Sequence, residues 1–322
     1  MKNILVIGST GQIGSELTRE LRRIYGGEHV VAGYIKGAEP KGELLEGGPA
    51  ELADVTDGEA IAAVVKKHRV DAIYNLAALL SVVAESKPRL AWRIGIDGLW
   101  NVLEVARENQ CAVFTPSSNG SFGPSTPHLR TPQDTIQRPQ TIYGVSKVTT
   151  DLLSDYFQKK YGTDTRSVRF PGIISYVTPP GGGTTDYAVD IFYSAVRGER
   201  FVCPIKAGTM MDMMYMPDAL KAAITIMEAD PSRLVHHNSF NVTAMSFAPE
   251  TIFAEIKKHR PQFEMVYDVD PLKQSIAESW PDKMDDTCAR REWGWSPDYD
   301  LRRMTIDMLA HLEIKLLRTR GN

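Results

Sequence analysis

The architecture of this chain follows from Ile4-Leu5-Val6-Ile7-Gly8-Ser9-Thr10-Gly11-Gln12-Ile13-Gly14. The four apolar residues predict a buried strand, and three glycines follow it where a helix would begin. Glycine permits a tight turn and a close approach of backbone to a pyrophosphate, and the free N–H groups of a helix N-terminus attract anions. We therefore predict that a dinucleotide binds here, against Gly8, Thr10, Gly11, Gln12, Ile13 and Gly14.

Beyond this stretch, short apolar runs alternate with longer helical patterns as far as residue 170. The runs predict strands at residues 4–7, 29–34, 71–76, 111–115 and 166–170, and the patterns predict helices at residues 12–25, 57–68, 90–109 and 143–161. Such alternation is typical of βαβ units, whose parallel sheet is covered by helices on both faces. We predict an α/β fold with a Rossmann-type doubly wound parallel sheet.

The rhythm changes after residue 170. A breaker-rich loop, Pro179-Pro180-Gly181-Gly182-Gly183, interrupts the pattern, and helices are predicted at residues 186–196, 216–229, 249–259 and 301–317. We expect a Rossmann domain over residues 1–170 and a smaller substrate-binding lobe over residues 171–322 that partly returns to the sheet.

Composition excludes several classes of function. The formal charge is -3, which argues against a nucleic-acid partner attracted by bulk charge. The three cysteines, Cys111, Cys203 and Cys288, are too widely spaced for a disulfide framework, and the adjacent His236 and His237 make a poor metal pair. We expect no metal site. No apolar run is long enough for a signal peptide or a bilayer span, so we expect a cytoplasmic protein with no membrane partner.

Small and polar residues end the predicted strands at their carboxyl edge, where ligands bind in open α/β sheets. The stretch Asn75-Leu76-Ala77-Ala78 ends the third predicted strand, and Ser117-Ser118 leaves the fourth. A serine hydroxyl there could hold a substrate oxygen, or simply form a polar turn. Asp54, followed by Val55, could accept a hydrogen bond from an adenine amino group, and a turn or cap role fits it equally well.

Tyr143 and Lys147 lie four residues apart, so both side chains share one face of the predicted helix. A nearby ammonium favours the phenolate and lowers the pKa of a tyrosine, which can then exchange a proton with an alcohol or a ketone. The spacing alone is also that of an exposed helical pair. The order Ser118, Tyr143, Lys147 on consecutive carboxyl-edge elements favours the catalytic interpretation.

Together, the glycine loop, Asn75 to Ala78, Ser117-Ser118 and Tyr143-x-x-x-Lys147 resemble the extended short-chain dehydrogenase/reductase superfamily. Its members bind NAD or NADP and use a Ser/Thr–Tyr–Lys triad, and they include dehydrogenases, sugar epimerases and dehydratases. Further segments look like those of the epimerase-like L-threonine 3-dehydrogenases: residues 77–81, residues 181–192, Ser279-Trp280-Pro281 and Glu292-Trp293-Gly294-Trp295. This narrower resemblance spans nearly the whole chain.

The resemblance implies metal-independent oxidation of the C3 hydroxyl of L-threonine to 2-amino-3-oxobutyrate, with hydride transfer to NAD. Tyr143 would be the general base, Lys147 would bind the nicotinamide ribose and lower the tyrosine pKa, and Ser118 would bind the reacting oxygen. The implied substrate contacts are Ser81, Ser118, Asn119, Tyr143, Gly182, Thr184, Thr185, Asp186 and Trp280. The further candidate cofactor contacts are Tyr34, Lys36, Asp54, Val55, Leu76, Ala77, Ala78, Tyr143 and Lys147.

Several alternatives stay open. Thr184, Thr185 and Asp186 could cap the helix that follows them. No acidic residue ends the second predicted strand, and Lys36 could meet a 2′-phosphate, so NADP is possible although the family favours NAD. The alternative functions are an NAD-dependent sugar-nucleotide epimerase or dehydratase and a non-catalytic dinucleotide-binding protein. The family also implies a homodimer, formed through a four-helix interface of helices 90–109 and 143–161.

Overall fold

A computed structural model describes residues 1–179, 181 and 183–320, with side chains up to residue 317. Its strands are β1 (Ile4–Ile7), β2 (Val30–Tyr34), β3 (Ala50–Leu52), β4 (Ala72–Asn75), β5 (Ala112–Phe114), β6 (Ser117–Ser118), β7 (Thr165–Arg166), β8 (Val168–Phe170), β9 (Gly172–Ile174), β10 (Phe201–Cys203), β11 (Met211–Tyr215), β12 (Phe240–Asn241), β13 (Met245–Phe247) and β14 (Met265–Tyr267).

The helices are α1 (Gln12–Tyr25), α2 (Glu43–Glu46), α3 (Gly58–His68), α4 (Ser81–Ser86), α5 (Pro88–Trp92), α6 (Gly98–Asn109), α7 (Ile142–Tyr161), α8 (Tyr187–Arg197), α9 (Met216–Glu228), α10 (Pro249–Lys257), α11 (Pro271–Glu278), α12 (Thr287–Trp293) and α13 (Leu301–Arg320). None of the helices within these ranges is both long and apolar enough to cross a lipid bilayer.

The central sheet has six parallel strands in the order β3-β2-β1-β4-β5-β7. The strands β1 and β4 are buried along their whole length, as expected for a sheet covered on both faces. The predicted α/β fold with a Rossmann-type parallel sheet is confirmed. Because all six strands run the same way, their carboxyl ends meet at one edge, where the candidate site residues follow.

Two of these strands continue past short breaks. After β5 and β7 the chain resumes as β6 and β8, which pair in parallel with Ser118 opposite Phe170. Strand β12 pairs with β8 on its other side. Residues 240–241, from the second half of the chain, therefore add a third strand to the pair β6 and β8. The division of the chain into two domains at residue 170 stays a prediction.

The rest of the second half forms its own core. Strands β9 and β11 are parallel, and β13 is antiparallel to β11. The methionines of β11, Met211, Met213 and Met214, are buried in packed clusters. Their flexible side chains fill the interior, so this strand is part of the hydrophobic core.

Among the features that differ from the expectation are an edge strand and a π turn in the first half of the chain. The edge strand β3 was not predicted, because its three residues, Ala50, Glu51 and Leu52, show no period that distinguishes a strand. The helix expected over residues 90–109 is divided by one wide π turn at Arg93–Asp97. The π turn brings Gly95 against α7, where an added Cβ would lie 3.1 Å from the Cβ of Ser146.

Candidate active site

A cleft of about 300 Å³ opens at the carboxyl edge of the sheet. It reaches from the glycine loop before α1 to the segment that leads into α8. Its lining comprises Gly8, Gly11, Gln12, Ile13, Gly14, Leu76, Ala78, Leu80, Ser81, Pro116, Ser117, Ser118, Asn119, Tyr143, Lys147, Phe170, Pro171, Gly172, Ile173, Gly183, Thr184, Thr185, Asp186 and Trp280. Most of the predicted site residues therefore line one continuous cleft.

The glycine loop is built for close approach. Gly8 has φ +78°, which favours glycine, and a Cβ added at Gly14 would lie 2.0 Å from the carbonyl oxygen of Gly8. The Ser9 hydroxyl donates to the Gly33 carbonyl at 2.9 Å and ties the loop to β2. The side-chain nitrogen of Gln12 is buried and has no hydrogen-bond partner within the described chain. An unpaired donor beside a glycine turn at a helix N-terminus fits a dinucleotide pyrophosphate.

Tyr143 and Lys147 are presented by the first turns of α7. Thr141 caps this helix by accepting a hydrogen bond from the N–H of Gly144 at 3.0 Å. A Cβ at Gly144 would lie 2.4 Å from the Gly120 carbonyl oxygen, and one at Gly120 would lie 2.9 Å from the ring of Tyr143. These two glycines thus let α7 pack directly against the turn that follows Ser118.

The ammonium of Lys147 lies 5.6 Å from the centre of the Tyr143 ring and donates to the Pro116 carbonyl at 2.7 Å. Burial lowers the pKa of Lys147 to about 8, and the charge of Asp151 opposes that change. Burial raises the pKa of Tyr143, and a hydrogen bond with Ser118 opposes the rise. In the free chain, desolvation of the phenolate therefore dominates, and the tyrosine pKa moves in the opposite direction to that implied by the family resemblance.

Ser118 has defined partners. Its hydroxyl accepts a hydrogen bond from the N–H of Gly120 at 3.1 Å and donates to the side-chain oxygen of Asn119 at 3.3 Å. Both Ser118 and Asn119 are buried at the cleft wall. Asn119 therefore orients the hydroxyl proton of Ser118, a role that the sequence did not indicate.

The far end of the cleft is lined by Ser81, Thr184, Thr185, Asp186 and Trp280. A carboxylate oxygen of Asp186 accepts a hydrogen bond from the N–H of Gly183 at 2.7 Å, which is a capping role. The hydroxyl of Thr184 is buried with no partner among the residues that the structure describes. Asp186 thus has a capping role, whereas the hydroxyl of Thr184 has no such bond within the described residues and is available to a ligand.

Six predicted contacts do not line this cleft: Thr10, Tyr34, Lys36, Asp54, Val55 and Ala77. Ala77 borders a smaller recess behind it, with Asn75 and Lys147. Asp54 accepts hydrogen bonds from the N–H and the hydroxyl of Thr56, both at 2.9 Å, so it has the turn role. Lys36 is exposed just after β2. Gly182 lies outside the described residues.

Sequence reasoning missed several cleft residues. Leu80, Pro116 and the segment 170–173 line the cleft but were not named among the expected contacts. The segment begins at the last residue of the predicted strand 166–170, so it lies at the carboxyl edge of the sheet, as Asn75 and Ser118 do. Nothing in the sequence pattern places Leu80 there.

One group of metal-ligand types lies outside the cleft, at His236, Cys288 and Glu292, the only such group in the described part of the chain. Glu292 already accepts hydrogen bonds from the backbone N–H groups of Val235 and His236, at 2.8 and 3.1 Å. The imidazole of His236 contacts its other oxygen at 2.7 Å. These contacts account for the buried carboxylate without an ion.

Comparison with known proteins shows which family the chain is similar to. The profile of the NAD dependent epimerase/dehydratase family matches residues 4–243. An uncharacterized epimerase/dehydratase of Staphylococcus haemolyticus is 52% identical over 316 residues, which cover 98% of this chain and 99% of that protein.

Two solved structures are similar over the whole chain. The L-threonine dehydrogenase of Clostridium difficile has a TM-score of 0.95 and 54% identity, covering 98% of each chain. The holo form of a GalE-like L-threonine dehydrogenase from Cupriavidus necator has a TM-score of 0.93 and 44% identity, covering 96% of this chain and 99% of that one. The predicted resemblance to the extended short-chain dehydrogenase/reductases is confirmed, and the chain belongs to the NAD dependent epimerase/dehydratase family of oxidoreductases, which use a nicotinamide cofactor.

Proposed function

We propose that the chain is an L-threonine 3-dehydrogenase, which oxidises the C3 hydroxyl of L-threonine to 2-amino-3-oxobutyrate with NAD as cofactor. The observation that carries the proposal is that one cleft contains Ser118, Tyr143 and Lys147 together with the hydroxyl groups of Ser81 and Thr184. The names of the Clostridium difficile and Cupriavidus necator relatives support this substrate.

Different residues of the cleft have different roles in the proposed reaction. The glycine loop and Lys147 hold the cofactor, which when bound supplies the hydride acceptor. Tyr143 takes the proton of the threonine hydroxyl in its phenolate form while the hydride leaves C3, and Ser118 holds the same oxygen. Burial disfavours that form in the free chain, and the nearby ammonium of Lys147 favours it. Positioning of these groups against the hydroxyl, more than any new chemistry of the protein, lowers the barrier.

The far end of the cleft suits the head group of an amino acid. Asp186 carries a negative charge that pairs with an α-ammonium, and the hydroxyls of Ser81, Thr184 and Thr185 can donate to an α-carboxylate. Trp280 also lines the cleft. A small zwitterion satisfies both kinds of group at once.

The experiment is an assay of purified protein with L-threonine and, in separate reactions, NAD and NADP, following absorbance of the reduced cofactor. We expect threonine-dependent reduction that is faster with NAD. L-alanine, which lacks the hydroxyl, is the matched control. Conversion of a UDP-sugar without net reduction of the cofactor, and with no reaction of threonine, would replace this proposal by the epimerase function. Cofactor binding without turnover of either substrate would instead favour the non-catalytic dinucleotide-binding protein.

We also propose that the chain forms a homodimer through α5, α6 and α7. Large apolar side chains are exposed on these helices, namely Leu90, Trp92, Trp100, Leu152, Tyr156 and Tyr161. Large apolar side chains exposed on neighbouring helices are typical of a protein interface. Sedimentation at micromolar concentration should give a dimer, and substitution of Leu152 by Glu should shift it towards monomer. A monomer of the unaltered chain would remove the proposal.

A further inference from the structure

Three side chains line one face of α7, and only two of them have a role in the proposed reaction. Tyr143, Lys147 and Asp151 follow one another at four-residue spacing, so each lies about one helical turn beyond the last. Lys147 and Asp151 are only 7% and 3% exposed. A buried cation and a buried anion are thus neighbours within the helix that carries the proposed base.

Only one of the two carboxylate oxygens of Asp151 accepts hydrogen bonds from the described residues. Its Oδ2 atom accepts hydrogen bonds from Arg169 Nε at 3.0 Å and from Gln137 Nε2 at 2.9 Å. Its Oδ1 atom is buried and has no hydrogen-bond partner among the described residues. An unpaired buried carboxylate oxygen is costly, so the ion pair with Arg169 does not by itself account for this carboxylate.

The buried ammonium of Lys147 also has few hydrogen-bond partners. Its ammonium makes one described hydrogen bond, to the Pro116 carbonyl, although it has three N–H donors. A buried ammonium without a compensating charge loses its proton. Asp151 is the carboxylate whose charge counters that loss, and the pKa of Lys147 falls to about 8 because burial outweighs it.

We propose that Asp151 is a positioning residue whose carboxylate keeps the buried ammonium of Lys147 charged, and that Arg169 holds this carboxylate in place. The guanidinium of Arg169 is itself fixed by the Gln133 carbonyl at 2.9 Å and by the Asn241 side chain at 3.1 Å. Its face covers the ring of Phe122 at 5.1 Å. The inference rests on the proposed function only where Lys147 binds the cofactor.

The charged groups around this helix support that assignment. On α7 itself the next acidic group is Asp155, one turn beyond Asp151, which accepts a hydrogen bond from Asn238 at 3.2 Å. Charged groups also lie on the other elements packed against α7, namely Glu85 of α4, Arg89 of α5, Arg93 and Asp97 of the π turn, Glu104 and Arg107 of α6, and Arg166 of β7. Several of them have partners of their own. Glu85 accepts a hydrogen bond from the N–H of Ile142, Glu104 pairs with Arg107, and Arg166 pairs with Asp164.

The test measures the titration of Lys147 in the cofactor-free chain by NMR of isotope-labelled lysine side chains. The Lys147 resonance is assigned by its absence in Lys147→Arg. We expect Asp151→Asn to lower the titration midpoint of Lys147 by about one pH unit or more. Asp155→Asn, the matched control one turn away, should leave the midpoint unchanged, and Asp151→Glu should restore most of it.

Asp151→Asn leaves the buried Arg169 unpaired and can fail to fold. The double variant Asp151→Asn, Arg169→Met removes both charges and should still lower the midpoint, because Asp151 is the group whose charge acts on Lys147. An unchanged midpoint in a folded variant lacking Asp151, or an equal shift in Asp155→Asn, overturns the proposal. Since no substrate is present, failure of threonine oxidation does not affect this result.

A functional readout separates this role from a general loss of structure. Affinity for NADH should decline with rising pH in every variant that keeps Lys147, and the decline should begin at a lower pH in Asp151→Asn than in the unaltered chain. If NADH affinity is lower in Asp151→Asn but begins to decline at the same pH as in the unaltered chain, Asp151 has only a structural role.

Discussion

The two ends of the cleft are built in different ways. The cofactor end comes mainly from one continuous segment, in which β1, the glycine loop and α1 follow each other within 22 residues, Ile4 to Tyr25. The substrate end is assembled from Ser81, the segment 170–173, Gly183 to Asp186 and Trp280, which lie far apart in the sequence. The first end is backbone shaped by glycine, and the second is a set of side chains brought together by packing.

This difference has a physical consequence. At the cofactor end, free N–H groups and a helix dipole recognise a pyrophosphate that many enzymes share. At the substrate end, hydroxyl and carboxylate side chains decide which small molecule fits. Changes near the glycine loop should therefore affect the cofactor, changes near Thr184 should affect the substrate, and Tyr143, between the two, should affect the chemistry alone.

The largest effect is expected for Tyr143→Phe. Loss of the phenolic oxygen removes the proposed proton acceptor, so kcat should fall about a thousandfold while cofactor affinity stays the same. Steady-state kinetics and a fluorescence titration with NADH measure the two quantities. Tyr299→Phe, which alters a tyrosine outside the cleft, is the control. A kcat near that of the unaltered chain would rule out Tyr143 as the base.

Gly14→Ala should act at the cofactor end. Its Cβ would lie 2.0 Å from the Gly8 carbonyl oxygen, so the loop must move. Overpacking of this kind costs about 1–3 kcal/mol, and we expect the affinity for NADH to fall about tenfold or more. Gly198→Ala, at a helix end with φ +72° and open space around it, should lower Tm without altering NADH affinity. Equal NADH affinity in both variants would show that loop shape is unimportant.

Thr184→Val should act at the substrate end. The buried hydroxyl has no partner in the described chain, so its removal costs nothing in the free protein but loses a hydrogen bond to the substrate, about 1 kcal/mol. KM for threonine should rise about fivefold, with NADH affinity unchanged. Thr184→Ser keeps the hydroxyl and should behave like the unaltered chain. A KM that rises in Thr184→Ser but not in Thr184→Val would show that the methyl group and not the hydroxyl is important.

The smallest effect is expected from pH. Lys147 has a lowered pKa of about 8, so its ammonium is charged below that value and neutral above it. Because the charged form donates to the cofactor ribose in the proposed site, NADH affinity should fall a few-fold as pH rises through about 8. Titrations on either side of that pH check the change, and Lys147→Arg should remove the dependence, since arginine stays charged.

The sequence predicted most of the first half correctly. Strands such as Ile4–Ile7 and helices such as Gln12–Tyr25 have clear periods and clear ends, because a parallel strand buried on both faces is apolar throughout. The short edge strand at Ala50–Leu52 and the π turn at Arg93–Asp97 were missed. Neither has a local pattern of its own: the first is held by pairing with β2, and the second lies where Gly95 meets α7.

The sequence by itself determined the parallel sheet, the glycine loop and the spacing of Tyr143 and Lys147, because each is a local pattern of apolar period, backbone freedom or helical geometry. Only the tertiary structure decided that Trp280 and Thr184 meet at one end of the cleft, that Asn119 orients Ser118, and that the carboxylate of Asp151 is buried beside Arg169 with one oxygen unpaired. These facts depend on contacts between segments far apart in the chain and on the burial of charge, which no local pattern records.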